Sequence, residues 1–209
     1  MSIFNNDYIG WRSSRIQKII SIYGEDYFKG KSILELGCGH GDVGDYFSNL
    51  GAIVTFAEGR QENLDHIMMV YPDAETILLD QDNRWNLSKK FDIIIHWGVL
   101  YHLNNWQQDL TSTLEHTNLL FLETEVPDSI EPNFELTMYE NAKSPDQSLT
   151  GKSIRPSADR IENYLSELGA AYQRYDDAEL NSFPHVYDWT VANTNTQLRG
   201  HRRFWIISR

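Results

Sequence analysis

Short apolar runs alternate along the chain with stretches whose hydrophobic residues recur at a longer spacing. Ile33-Leu34-Glu35-Leu36, Ala52-Ile53-Val54-Thr55-Phe56-Ala57, Thr76-Ile77-Leu78-Leu79, Ile93-Ile94-Ile95 and Leu119-Leu120-Phe121-Leu122 are rich in branched side chains and short, as buried strands are. Between them, helices are expected near 42–50, 61–70 and 105–116. Upstream, Ile16, Ile19, Ile20 and Tyr23 fall on one helical face, and the preceding Tyr8-Ile9-Gly10-Trp11-Arg12 is a candidate flap. Regular alternation of strand and helix predicts a parallel, doubly wound α/β sheet. Only 82–90 joins the third strand to the fourth, so that crossover helix is reduced to about one turn.

The periodicity fails over 126–156, which carries Pro127, Pro132, Pro145 and Pro156 among polar residues. Irregular segments of this length in compact domains are functional or disordered. Its place after the fifth strand makes it either a lid over the cleft or a segment without function. Ser157 then caps, and Gly169 stops, a helix with Ile161, Tyr164, Leu165 and Leu168 on one stripe. Two final strands are expected at 171–177 and 203–208. The aromatic and polar excursion between them, with His185 and Asp188, is either an acceptor-binding loop or a packed connection. One domain over 1–209 follows, with a helical extension at about 1–30 and an insertion at about 126–156.

Chemistry enters at Glu35-Leu36-Gly37-Cys38-Gly39-His40-Gly41, where a strand runs into alternating glycines and then a helix start at Asp42. Glycines leave no Cβ between main chain and ligand, and open α/β sheets bind ligands at this place. A dinucleotide fingerprint needs a third glycine where Asp42 stands, and the carboxylates Asp42 and Asp45 repel a pyrophosphate at the helix amino end. About twenty residues beyond the turn, Glu58 ends the second strand, the position from which an acid accepts ribose hydroxyls in nucleoside-binding folds. Gly151-Lys152-Ser153 lacks the earlier glycine and strand of a triphosphate-binding loop.

The spacing Glu35-x-Gly37-x-Gly39-x-Gly41 resembles the first motif of class I S-adenosylmethionine (SAM)-dependent methyltransferases, and Phe91-Asp92 with Gly98-Val99-Leu100-Tyr101-His102-Leu103 is similar to the exit of their fourth strand. The resemblance implies a Rossmann-like, mostly parallel seven-stranded sheet with an antiparallel C-terminal hairpin. It also implies SAM as cofactor and S-adenosylhomocysteine (SAH) as product. Glu35, Gly37, Gly39 and Gly41 would then hold the methionine end, with the Glu35 carboxylate either touching cofactor or bracing the loop. Glu58 would take the ribose, Asp80 with Gln81 the adenine side, and His96, Trp97 and Gly98 the wall beside the sulfonium. Arg12 or Arg15 either pairs with the cofactor carboxylate or is solvated. His102 is the first candidate for a general base, with His185 and Asp188 behind it, and no metal is implied.

The net charge of −12 over 209 residues argues against a broad polyanion-binding surface, although Lys152, Arg155 and Arg160, or Arg199, His201, Arg202 and Arg203, are grouped well enough for a local basic patch. A small-molecule acceptor is therefore expected. A tRNA-modifying methyl- or carboxymethyltransferase, known among relatives with the G-V-L-Y-H-L turn, is the alternative. A non-catalytic SAM-binding module and an NAD-dependent oxidoreductase are the rivals from other classes. Cys38 is the only cysteine, so no intrachain disulfide forms and a cytoplasmic compartment is expected. The amino terminus has neither a basic region nor a long apolar run, which predicts no signal peptide and no membrane span.

Overall fold

The computed structural model describes residues 8–127, 129, 131–182 and 201–209. Helix α1 (Ile9–Tyr23) leads into the alternating series β1 (Ser32–Leu36), α2 (Asp42–Asn49), β2 (Ile53–Glu58), α3 (Gln61–Val70), β3 (Glu75–Leu78), β4 (Ile93–Trp97), α4 (Trp106–His116) and β5 (Leu119–Val126). After β5 come β6 (Glu135–Tyr139), β7 (Lys152–Pro156), α5 (Ala158–Glu167), β8 (Ala171–Tyr175) and β9 (His201–Ser208). Seven strands form one sheet in the order β3-β2-β1-β4-β5-β9-β8. The first five run parallel, while β9 pairs antiparallel with both β5 and β8. This is the Rossmann-like methyltransferase fold that the motifs implied.

Strand periodicity sorts the core into two layers. Ile33, Ile93, Ile95 and Trp97 point to the face covered by Trp11, Ile16 and Ile19 of α1, Val43 and Phe47 of α2, and Leu64 and Ile67 of α3. Their neighbours Leu34, Leu36 and Ile94 point to the opposite face, against Leu110 and Leu114 of α4 and Ile161 and Leu165 of α5. Both faces are buried, as a parallel sheet between helical layers requires. The order reverses between β1 and β4, whose carboxyl ends diverge into the glycine turn and into Gly98. A crevice at this switch point is where open α/β sheets take ligands.

Three expectations are corrected. Residues 9–12 form the first turn of α1 instead of a flap, and Trp11 is buried there against Trp97, ring centroids 6.4 Å apart. The segment 126–156 is not wholly irregular, because β6 and β7 pair as a two-stranded antiparallel ribbon. The short crossing between β3 and β4 holds turns and bends with no helix. The expected loop residues His185 and Asp188 lie outside the described residues.

Candidate functional site

A cleft opens at the carboxyl ends of β1, β2 and β4 and divides into two lobes that share Gly37, Gly39, Gly98, His102 and Asp146. The first lobe continues along Trp11, Arg12, Glu35, Trp97, Tyr101 and Arg202. The second continues along Glu58, Asp80, Gln81 and the insertion residues Pro145, Gln147 and Leu149. The structure thus gathers Glu35, Gly37, Gly39, Glu58, Asp80, Gln81, Trp97, Gly98 and His102 around one crevice.

Main-chain approach explains the glycine turn. Gly37 has φ +59°, and a Cβ there would sit 2.2 Å from Cγ2 of Val99. Only glycine combines that conformation with so close a neighbour. Gly41 has φ +81° and caps the amino end of α2, where it turns the chain; it lines neither lobe.

Two buried carboxyls brace this turn. Oε2 of Glu35 accepts the Gly44 amide at 2.8 Å, so Glu35 organises the loop while also lining the first lobe. Burial pushes its pKa up to about 8, with the Gly44 amide opposing and Asp42 adding to the rise. Glu58 accepts the Gly39 amide at 3.0 Å through one oxygen and the Gly59 and Arg60 amides at 2.9 and 3.2 Å through the other. Burial raises its pKa as well, and those three amides counter it. The amino end of α2 bears Asp42, paired with Arg12 at 3.1 Å. An anion site at a helix start needs open amides and no nearby carboxylate, and α2 does not offer that. The buried carboxyls put hydrogen-bond acceptors at the turn, and Trp97, which lines the first lobe, has a buried Nε1 that donates to no group among the described residues.

Register moves one expected residue out of the cleft. His96 lies between Ile95 and Trp97 on β4 and pairs with Leu36, so its side chain faces the α4 layer. It is fully buried there, 2.6 Å from Oδ2 of Asp109, and lines neither lobe. Asp109 also accepts from Gln81 Nε2 at 3.1 Å and Trp85 Nε1 at 2.9 Å. Gln81 therefore reaches through from the second lobe into a sealed polar cluster. Asp80 braces its own turn, accepting from the Asp82 amide and the Asn83 side chain at 3.0 and 2.7 Å.

Arg15 is not at the cleft either; it is wholly buried, bonded to Glu123 at 2.9 Å. Part of the candidate basic patch is likewise withdrawn from the surface, while Lys152 is exposed, Arg160 is half-buried and Arg199 lies outside the described residues. Arg202 and Arg203 are buried in β9, and Arg155 is buried against Glu125 and Glu140. Arg202 bonds Glu123 at 3.1 Å and the Tyr101 hydroxyl at 3.0 Å. Burial disfavours its charge, but Glu123, Tyr101 and Glu125 outweigh that and raise its pKa. The Tyr101 phenol is pushed up to about 12 by burial against the pull of Arg202. Arg202 and Asp146 line the cleft, and Glu123 and Glu140 hold Arg202 and His102 from behind it; sequence reading gave none of the four a place at the site. For Arg202 the signal was a charged pair set inside an apolar strand, His201-Arg202-Arg203-Phe204-Trp205.

His102 occupies the junction of the lobes, in the short turn Leu100–His102 that follows Gly98. Its Nδ1 lies 2.6 Å from Glu140, a residue of the insertion. The loop beyond Glu140 is held over the second lobe by Arg60, which donates to the carbonyls of Ala142, Gln147 and Ser148 at 3.0, 3.0 and 3.4 Å. Among the described residues, no cluster of three or more His, Cys, Asp or Glu side chains is placed to hold a metal ion. None of the described helices is long and apolar enough to cross a membrane.

Comparison with known proteins agrees with this architecture. The N-terminal domain of EvdMO1, a structure with SAH bound, superposes with a TM-score of 0.67 at 16% identity over 95% of this chain and 80% of that one. An S-adenosylmethionine-dependent methyltransferase from Mesorhizobium loti gives 0.67 at 14% identity, covering 94% and 98%. The plantazolicin methyltransferase BpumL, in complex with SAH, gives 0.65 at 18% identity, covering 99% and 87%. No curated protein matches the chain. A family model described as a methyltransferase domain matches residues 8–194, and the chain belongs to that family.

Proposed function

We propose that this methyltransferase uses SAM and transfers its methyl group to a small-molecule acceptor. The observation that carries this reading is the cleft at the β1/β4 switch point, floored by glycines and lined by buried carboxyls, with a carboxylate where a pyrophosphate would need open amides. The SAH-bound structures of EvdMO1 and BpumL support the same cofactor. SAM supplies an activated methyl group on a sulfonium, so the protein's task is chiefly to position the acceptor.

The two lobes divide that task. Gly37, Gly39 and Glu35 would hold the methionine end with Arg12 near its carboxylate, and Glu58 would take the ribose. Asp80 and Gln81 would border the adenine; with Gln81 Nε2 committed to Asp109, Oε1 is the atom left to accept from an exocyclic amine. Trp97 and Gly98 would wall the sulfonium side. His102, at the junction, would accept the proton that a hydroxyl loses as its oxygen attacks the methyl carbon, or that an ammonium loses before its nitrogen can attack, while the methyl–sulfur bond breaks with its electron pair left on sulfur. The insertion serves as a lid, because its loop walls the second lobe while its Glu140 holds His102. The buried Cys38 thiol, its pKa raised well above the usual by burial, fits a structural residue in a reducing compartment such as the cytoplasm.

A small acceptor is favoured over tRNA by the net charge and by the burial of Arg155, Arg202 and Arg203 in ion pairs or strand interior. The test is transfer of labelled methyl from SAM to panels of hydroxylated and aminated metabolites, with bulk tRNA in parallel. Label in a metabolite is expected; label confined to tRNA would replace this reading by the alternative.

A further inference from the structure

We propose that Glu140 is a positioning residue for His102: it fixes the neutral imidazole as the Nδ1–H tautomer and so keeps Nε2 bare as the proton acceptor at the junction of the lobes. The inference deepens the proposed function and rests on its placement of His102.

Four donors surround the Glu140 carboxylate. His102 Nδ1 and the Ser148 amide meet Oε2 at 2.6 and 2.8 Å, and Ser153 Oγ and Arg155 Nη2 meet Oε1 at 2.8 and 3.2 Å. An ionised carboxylate is an acceptor only, with about four lone-pair sites, and here all are used. The hydrogen on the His102 contact therefore has to come from the ring. A neutral imidazole has one N–H, so placing it on Nδ1 leaves Nε2 as the acceptor. Nε2 makes no hydrogen bond with the described residues, and the ring lines both lobes. Burial pushes the Glu140 pKa up, but the hydrogen bond and, when the ring is charged, the positive charge of His102, together with the Ser148 and Ser153 bonds, outweigh it and lower the pKa to about 2. When the ring is neutral, the Ser148 amide, the Ser153 hydroxyl and the Arg155 guanidinium still favour the ionised carboxylate.

The arrangement couples distant parts of the chain. Glu140 follows β6, Ser153 and Arg155 belong to β7, and Ser148 lies between them in the loop that walls the second lobe. The Ile154 amide bonds the Leu103 carbonyl at 2.8 Å, which fastens the ribbon to the turn carrying His102. The ribbon thus presents a fixed acceptor to a ring whose own turn it grips. Without it, an imidazole on a short turn is free to choose its more common Nε2–H form.

Nitrogen NMR of the full chain with ring-15N histidine tests this, with His102→Gln assigning the signals. In the neutral form, wild-type His102 is expected to give the chemical shifts of a protonated Nδ1 and a bare Nε2. Glu140→Ala is expected to exchange that pattern for one dominated by Nε2–H. Ser153→Ala removes a different bond to the same carboxylate and is expected to leave the wild-type pattern. An Nε2–H wild type overturns the proposal without any variant, which covers the case in which Glu140→Ala does not fold. Retention of Nδ1–H in Glu140→Ala, or an equal change in Ser153→Ala, overturns it too. Calorimetric binding of SAH to the wild type is measured alongside. If SAH does not bind but the tautomer pattern is as expected, the control of His102 by Glu140 stands and the cofactor reading falls.

Discussion

Glu35 and Glu58 lie under the glycine turn as carboxyls that burial drives toward the neutral form. For Glu35 the folded chain binds the proton more tightly than the unfolded chain, whose pKa is near 4.5. Its contribution to stability is therefore complete below that value and declines as pH rises through about 8. Glu35→Gln, which keeps an oxygen for the Gly44 amide, is predicted to flatten the fall in stability across this window. Urea unfolding of both proteins at several pH values checks it, and parallel curves would contradict it. Glu58→Ala removes an acceptor for three loop amides and the one proposed for the ribose, and is predicted to weaken SAH binding by ~1–3 kcal/mol, or roughly 5-fold to 150-fold. An unchanged calorimetric affinity removes Glu58 from the site. Glu35 and Glu58 were legible because one interrupts an apolar strand just before the glycine turn and the other ends the next apolar strand. His96 was misplaced because a buried run, Ile93-Ile94-Ile95-His96-Trp97, gives no polar alternation from which to read the face. Glu140 was invisible for another reason: its partner His102 is distant in sequence, and only the pairing of β6 with β7 brings its carboxylate to the ring.

At the scale of elements, the amphipathic helices and apolar strands of the parallel sheet were readable because burial on one stripe or both faces writes a strong pattern. The β6–β7 ribbon was not, since it is half exposed and its strands are short and interrupted by a polar loop. α1 was half legible: its later residues carry a stripe, while Tyr8-Ile9-Gly10-Trp11 contains a glycine that weakens helix propensity. Packing of Trp11 on Trp97 and its bond to Glu123 at 3.2 Å override that preference. The insertion's hold on the domain rests heavily on Arg60, whose guanidinium joins three carbonyls of the 142–148 loop. Arg60→Ala is predicted to speed limited proteolysis within that loop several-fold, and SAH to slow cleavage in the wild type. Equal cleavage of wild type with and without SAH would contradict the lid; equal cleavage of wild type and variant would contradict the latch.

Across the whole molecule, one buried charge knot joins the N-terminal helix to the C-terminal strand. Glu123 of β5 holds Arg15 of α1 at 2.9 Å and Arg202 of β9 at 3.1 Å, all three essentially removed from solvent. Glu123→Ala leaves two buried guanidiniums without their common anion, and is predicted to lower stability by ~3–5 kcal/mol, read as a fall in the midpoint of chemical unfolding. A midpoint within error of the wild type would mean that the ion pairs contribute little to holding these termini together. The same knot sits under the first lobe, so the fold's closure and the cleft's electrostatics share residues. The function proposed for this cleft requires that it take an S-adenosyl nucleoside and not a dinucleotide. Calorimetric titration of the purified chain with SAM, SAH and NADH decides between them: saturable binding of SAM and SAH with none of NADH is the predicted result, and saturable NADH binding without SAM or SAH would contradict it.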